Sequence, residues 1–142
     1  MLVDSHCHIN FPELAGDLEG VLSRMRAAGV THALCVSVSL ETFPQVLAIA
    51  ERFDNVYASV GVHPNEHGGE EPTPEKLCEL ASHPRVIAIG ETGLDYYRES
   101  GDLGWQRERA APVSVTLFTL ATPYFHRGRN CSLTCGTRTR PR

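Results

Sequence analysis

Four short apolar runs, starting near residues 2, 33, 56 and 85, alternate with stretches of helical period. This alternation constrains the fold more than any other feature of the chain. The runs are Met1–Val3, Ala33–Val38, Val56–Val62 and Arg85–Gly90. Between the first two, Leu14, Leu18, Val21, Leu22 and Met25 recur at helical spacing, with Asp17, Glu19, Arg24 and Arg26 among them, and Gly29 stands where a left-handed cap is favoured. A second helix is expected over 41–53, with Val46, Leu47, Ile49, Ala50 and Phe53 inward and Pro44 in its first turn. A third is expected over 74–81, with Thr73 as N-cap and Pro74 at the first helical position. Near-continuous apolar strands separated by amphipathic helices are parallel strands covered by helices, which is the α/β class. Trp105–Ala110 starts a fourth helix. Val113–Leu120 then has the composition of a strand but arrives too soon for that helix to finish.

Length and composition place the chain among single, globular domains. It has 142 residues, 42% apolar and 21% charged, enough for a real core. No apolar run approaches the roughly 20 residues of a membrane span, and no basic segment followed by an apolar one suggests a secretory signal. The expected compartment is the cytoplasm, with no membrane partner. Cysteines 7, 35, 78, 131 and 135 form no CxxC pair. The first three sit in apolar patterns and read as small buried hydrophobes rather than a disulfide framework. Charge is divided unevenly. Residues 1–108 carry all 17 acids against 7 Lys or Arg, whereas residues 109–142 carry 6 Arg and no acid. The acidic part lacks the basic footprint of a protein that wraps long duplex nucleic acid.

Three groups are equipped for chemistry. His6 and His8 stand one residue apart, so on an extended backbone both imidazoles point to one face. His63 follows the third apolar run, and Glu91 and Asp95 follow the fourth. All three groups lie past the C-terminal ends of parallel strands, the edge where ligands and catalytic residues collect in α/β folds. Together they offer nitrogen and oxygen donors to a divalent cation, and a bridging carboxylate would let the site hold a pair. Taken singly, each has a bland alternative. The histidine pair can be hydrogen-bonded at a strand end, His63 can be a turn residue before Pro64, and Glu91 can be a loop carboxylate.

Ser5-His6-Cys7-His8, Gly61-Val62-His63-Pro64 and Gly90-Glu91-Thr92-Gly93-Leu94-Asp95-Tyr96, in that order and spacing, resemble the TatD family of metal-dependent deoxyribonucleases within the amidohydrolase-like superfamily. The resemblance covers residues 1 to about 109. It implies a partial (β/α)8 barrel with about four βα units present, two divalent ions (Mg, Mn or Zn), and hydrolysis of DNA phosphodiester bonds by an activated water. It implies His6, His8 and Glu91 as metal ligands, Glu91 touching both ions, with His63 and Asp95 beside them as supporting or substrate-orienting residues. The substrate so implied is DNA, recognised at short or single-stranded ends.

The same resemblance implies about 250 residues and eight strands, and two further histidines and an acid from later strands, whose motifs this sequence lacks. His126 precedes an arginine as the next family ligand does, but follows no apolar strand. The expected division is therefore 1–109, the first half of a barrel, and 110–142, an atypical basic tail that is frame-shifted or disordered. A truncated chain of this kind is expected to be impaired in activity, to expose sheet edges, and to gain from an oligomer in which half-barrels pair. The competing readings of function are an amidohydrolase cleaving a C–N or ester bond, and a non-catalytic metal-binding remnant.

Overall fold

The computed structural model describes residues 1–97 and 102–113. All four expected strands form: β1 (Leu2–Cys7), β2 (Val30–Cys35), β3 (Val56–Val60) and β4 (Val86–Ile89). They make one sheet in the order β1-β2-β3-β4, and every neighbouring pair is parallel. Registers such as Cys7 with Cys35, Cys35 with Ala58 and Val60 with Ile89 align their C-terminal ends. A sheet that grows in one direction without reversing keeps its crossover helices on one face, as in a (β/α)8 barrel and unlike a doubly wound sheet.

The packing confirms this. Val21 and Leu22 from α2 (Leu18–Ala27) and Val46, Ile49 and Ala50 from α3 (Phe43–Arg52) bury against Cys35, Val56 and Ala58. Leu77 of α4 (Pro74–Ala81) joins Phe43, Val60, Val62 and Ile89 in a second cluster. Leu34, Val36 and Ala88 form a third with no helical member, on the face opposite the helices. The chain is thus an arc of barrel with helices outside and small or branched side chains inside. Arg85 ties outside to sheet: Nε donates to the Ala50 carbonyl (2.7 Å) and Nη2 to those of Phe53 (2.7 Å) and Val56 (2.5 Å).

The helices start and stop largely where local chemistry says they should. Thr73 caps α4 by accepting from the Lys76 amide at 3.2 Å, with Pro74 in the first turn. Pro44 lies in the first turn of α3, and Gly29 has φ of +84° after α2. The first helix differs from expectation. It is divided into α1 (Pro12–Ala15) and α2, because Asp17 turns its carboxylate onto the Gly20 amide (3.0 Å) and restarts the helix as an N-cap. Residues 104–113, here α5, are helical throughout. Val113, expected to open a strand, is instead helical and buried with Leu77 and Ile89. The rest of that expected strand and the basic segment, His126 included, lie outside the described residues.

Candidate metal centre

Among the described residues, β1 and β4 are the two outer strands of the sheet. If the sheet were flat, three strand spacings would separate them by about 14 Å. The long side chains and the curve of the barrel arc together close that span: His6 Nε2, from β1, lies 3.5 Å from Glu91 Oε2, just past β4, and His8 Nε2 lies 3.8 Å from the same oxygen. The sheet curls so that its first and last strand ends face one another across the concave side. Glu91 is fixed on that rim by its backbone. Its amide donates to the Ser37 carbonyl at 2.9 Å, and the preceding Gly90 amide donates to Val60 at 2.8 Å. Buried Ser59 donates its hydroxyl to the Gly90 carbonyl at 2.6 Å and accepts from the Ser37 amide at 3.2 Å. The Gly90–Glu91 peptide is cis.

His6 Nε2 and His8 Nε2 are 3.3 Å apart. With the two distances to Glu91 this makes a nearly equilateral triangle of donor atoms. Liganding atoms about 2.1 Å from a tetrahedral cation stand about 3.4 Å from one another, so the triangle has the size a single ion requires. The protonation of His8 agrees. Its Nδ1 faces the Val36 carbonyl at 3.0 Å, so Nδ1 carries the proton and Nε2 keeps its lone pair for a ligand. Phe11 stacks on the His8 ring at 4.9 Å and limits its rotation. His6, His8 and Glu91 are the one metal-sized cluster of three such side chains among the described residues.

His63 and Asp95 come to different places. His63 Nε2 is 3.6 Å from the other Glu91 oxygen, Oε1, so the carboxylate divides its oxygens between the His6/His8 pair and His63. Unlike His8, His63 accepts at Nδ1, from the Asn65 amide at 3.0 Å. Its neutral ring therefore bears hydrogen on Nε2, as a donor toward Glu91. Asp95 stands behind His63. Its Oδ2 accepts from Asn65 Nδ2 at 2.9 Å, its Oδ1 accepts from the Tyr97 amide at 2.9 Å, and its own amide donates to Gln106 Oε1 at 2.9 Å.

Asn65, Gln106 and Arg109 complete the surroundings and are not evident from motif spacing. Arg109 donates to the carbonyls of His63, Pro64 and Glu66 and makes a two-pronged pair with Glu71, gathering the whole 63–71 loop onto α5. Its bonds hold the Glu71 carboxyl below the usual range, against a smaller opposing effect of burial.

The family model described as TatD related DNase matches residues 3–111. The chain belongs to the TatD family. Among its relatives, the uncharacterized metal-dependent hydrolase YabD of Bacillus subtilis is 35% identical over 76% of this chain and 43% of its own length. The 3'-5' ssDNA/RNA exonuclease TatD of Enterobacter lignolyticus is 30% identical over 98% of this chain and 61% of its own. The crystal structure of the TatD homologue YjjV from Escherichia coli superposes with a TM-score of 0.70 at 32% identity, over 87% of this chain and 48% of that one. A TatD-family hydrolase from Entamoeba histolytica gives 0.65 at 23% identity and shares the fold. The chain spans about half the length of most of the TatD relatives it matches. No helix among the described residues is long and apolar enough to cross a membrane.

Proposed function

We propose that this chain carries the first part of a TatD-type hydrolase site, with His6, His8 and Glu91 as ligands of divalent metal and DNA phosphodiester bonds at single-stranded ends as substrate. The observation that carries the reading is the donor triangle: two imidazole nitrogens and a carboxylate oxygen from opposite edges of the sheet, spaced as one cation requires. The relative named as an ssDNA/RNA exonuclease supports the substrate. The excess of acids over residues 1–108 is also in keeping with engagement of short ends rather than long duplex.

Divalent metal in this position supplies Lewis-acid polarisation of a phosphoryl oxygen and lowers the pKa of water. The chain's own residues supply the rest. His8 is oriented by Val36 with its lone pair outward, and Glu91 Oε2 meets both imidazoles. Glu91 Oε1 is left toward the His63 N–H, and on the two-ion reading it would be the oxygen that holds the second ion. His63 then has a hydrogen to offer a substrate oxygen at the same rim.

Titration of the purified chain with Mn²⁺ by calorimetry tests the site, and cleavage of a short single-stranded oligonucleotide tests the substrate. We expect His6→Ala/His8→Ala and Glu91→Gln each to lose at least about tenfold in Mn²⁺ affinity, together with any metal-dependent cleavage. Affinity unchanged in both variants would reject the ligand set. Metal uptake with hydrolysis of an ester or amide substrate but no oligonucleotide would replace the substrate class.

A further inference from the structure

We propose that Gln106 is a positioning residue for this rim, holding His63 in the tautomer that presents N–H, not a lone pair, to Glu91. Its purpose rests on the metal-site reading above, but its geometry stands independently. Gln106 is 0% exposed, on α5, on the same side as Ala110 and buried Val113. A buried carboxamide there must have its donors and acceptor satisfied, or it costs about 1–3 kcal/mol.

Its partners all belong to the two loops that bear His63 and Glu91. Nε2 donates to Asn65 Oδ1 at 2.6 Å, and Oε1 accepts the Asp95 amide at 2.9 Å. Asn65 turns its own Nδ2 onto Asp95 Oδ2 at 2.9 Å. Gln106, Asn65 and Asp95 thus close a ring of hydrogen bonds that locks the loop after β3 to the loop after β4. The directions in this ring are anchored at Asp95, whose amide can only donate and whose carboxylate accepts, and are relayed to Asn65 by Gln106. The Gln106 amide hydrogens face Asn65 Oδ1, which leaves Asn65 Nδ2 as the atom facing the Asp95 carboxylate.

With its side chain held at both ends, Asn65 aims its backbone N–H at His63 Nδ1, 3.0 Å away. A ring nitrogen that accepts cannot carry the proton, so the neutral imidazole carries it on Nε2, 3.6 Å from Glu91 Oε1. Loss of the Gln106 donor removes one side-chain anchor of this turn, and with it part of what keeps the Asn65 amide on His63 Nδ1. His63 would then exchange between its two tautomers, and the Nδ1–H form would direct a lone pair at the Glu91 carboxylate.

Long-range ¹H–¹⁵N NMR of the ¹⁵N-labelled, metal-free chain reads imidazole tautomers directly. We expect His63 to give the single Nε2–H pattern. Gln106→Glu keeps the acceptor for Asp95 but removes the donor to Asn65, and should lose that single pattern to a mixture. Asn65→Ala, on the half-buried loop, should do the same without a buried charge and decides the question if Gln106→Glu does not fold. A His63 that is Nδ1–H in the unmodified chain, or that keeps the Nε2–H pattern in a folded variant, overturns the proposal. The measurement needs neither metal nor substrate, so it can fail or succeed whatever the chain hydrolyses.

Discussion

His8 and His63 both turn Nε2 toward Glu91, yet their far nitrogens make opposite bonds, one to a carbonyl and one from an amide. What lies behind the rings thereby makes identical side chains present a lone pair in one case and an N–H in the other. Sequence spacing can place an imidazole at a strand end, but it carries no record of the atom behind the ring. His6, His8, His63 and Glu91 were therefore legible as strand-end residues, whereas Asn65 was not. Gln106 did leave a trace, as a polar residue at an inward position in the series Leu103, Gln106, Ala110 and Val113. Arg109 makes a prediction at this scale. Its bonds depress the Glu71 carboxyl, so the contribution of the pair is present above the ordinary glutamate range and lost as pH falls through the lowered folded value. Glu71→Gln should be less stable than the unmodified chain at neutral pH, with the gap closing below about pH 4.5. Glu71 is 60% exposed, so solvent screening keeps the gap under about 1 kcal/mol. Urea melts across that pH range check it.

Elements with a strong period and a clear cap were recovered from sequence within a residue or two, because propensity, cap and burial agree there. α4 is the clearest case. Thr73→Ala should cost about 1 kcal/mol, and Leu77→Ala, from a fully buried site, about 2–5 kcal/mol, both read by denaturant unfolding. The division of the first helix was not legible, since Leu14 and Leu18 fit one apolar stripe equally well in one helix or two. What decides is a single side chain, Asp17, competing for a backbone amide. The contact between β3 and β4 at the rim leaves less freedom still. A Cβ on Gly61 would fall 2.6 Å from the Gly90 carbonyl carbon and 2.8 Å from the backbone carbonyl oxygen of Glu91. Gly61→Ala should therefore destabilise by about 1–3 kcal/mol and weaken Mn²⁺ binding as Glu91 is displaced. Unchanged affinity would show that the rim tolerates a wider separation of these strands.

At the scale of the molecule, the α/β class and the four parallel units were written in the alternation of patterns, and the curl was not. Curvature depends on strands meeting across the concave side, which no local pattern encodes. β1 and β4 each have one sheet neighbour among the described residues, and Leu2, Val3 and Ile87 are 60%, 61% and 44% exposed. Apolar outer strands of this kind invite pairing with other chains. Val3→Lys should lower concentration-dependent association, as measured by sedimentation velocity. The curl has a further consequence. It brings residue 6 within reach of residue 91, so a cation gripping both would act as a removable cross-link spanning most of the folded sheet. An unfolded chain cannot hold these ligands together, so binding energy becomes folding energy. At free cation about a hundred times its Kd the gain is about 2.7 kcal/mol, roughly 10 °C or more in Tm. Chelator should take that increment away from the unmodified chain and roughly half of it or less from Glu91→Gln. The melting curve of this protein would then serve as its own metal sensor.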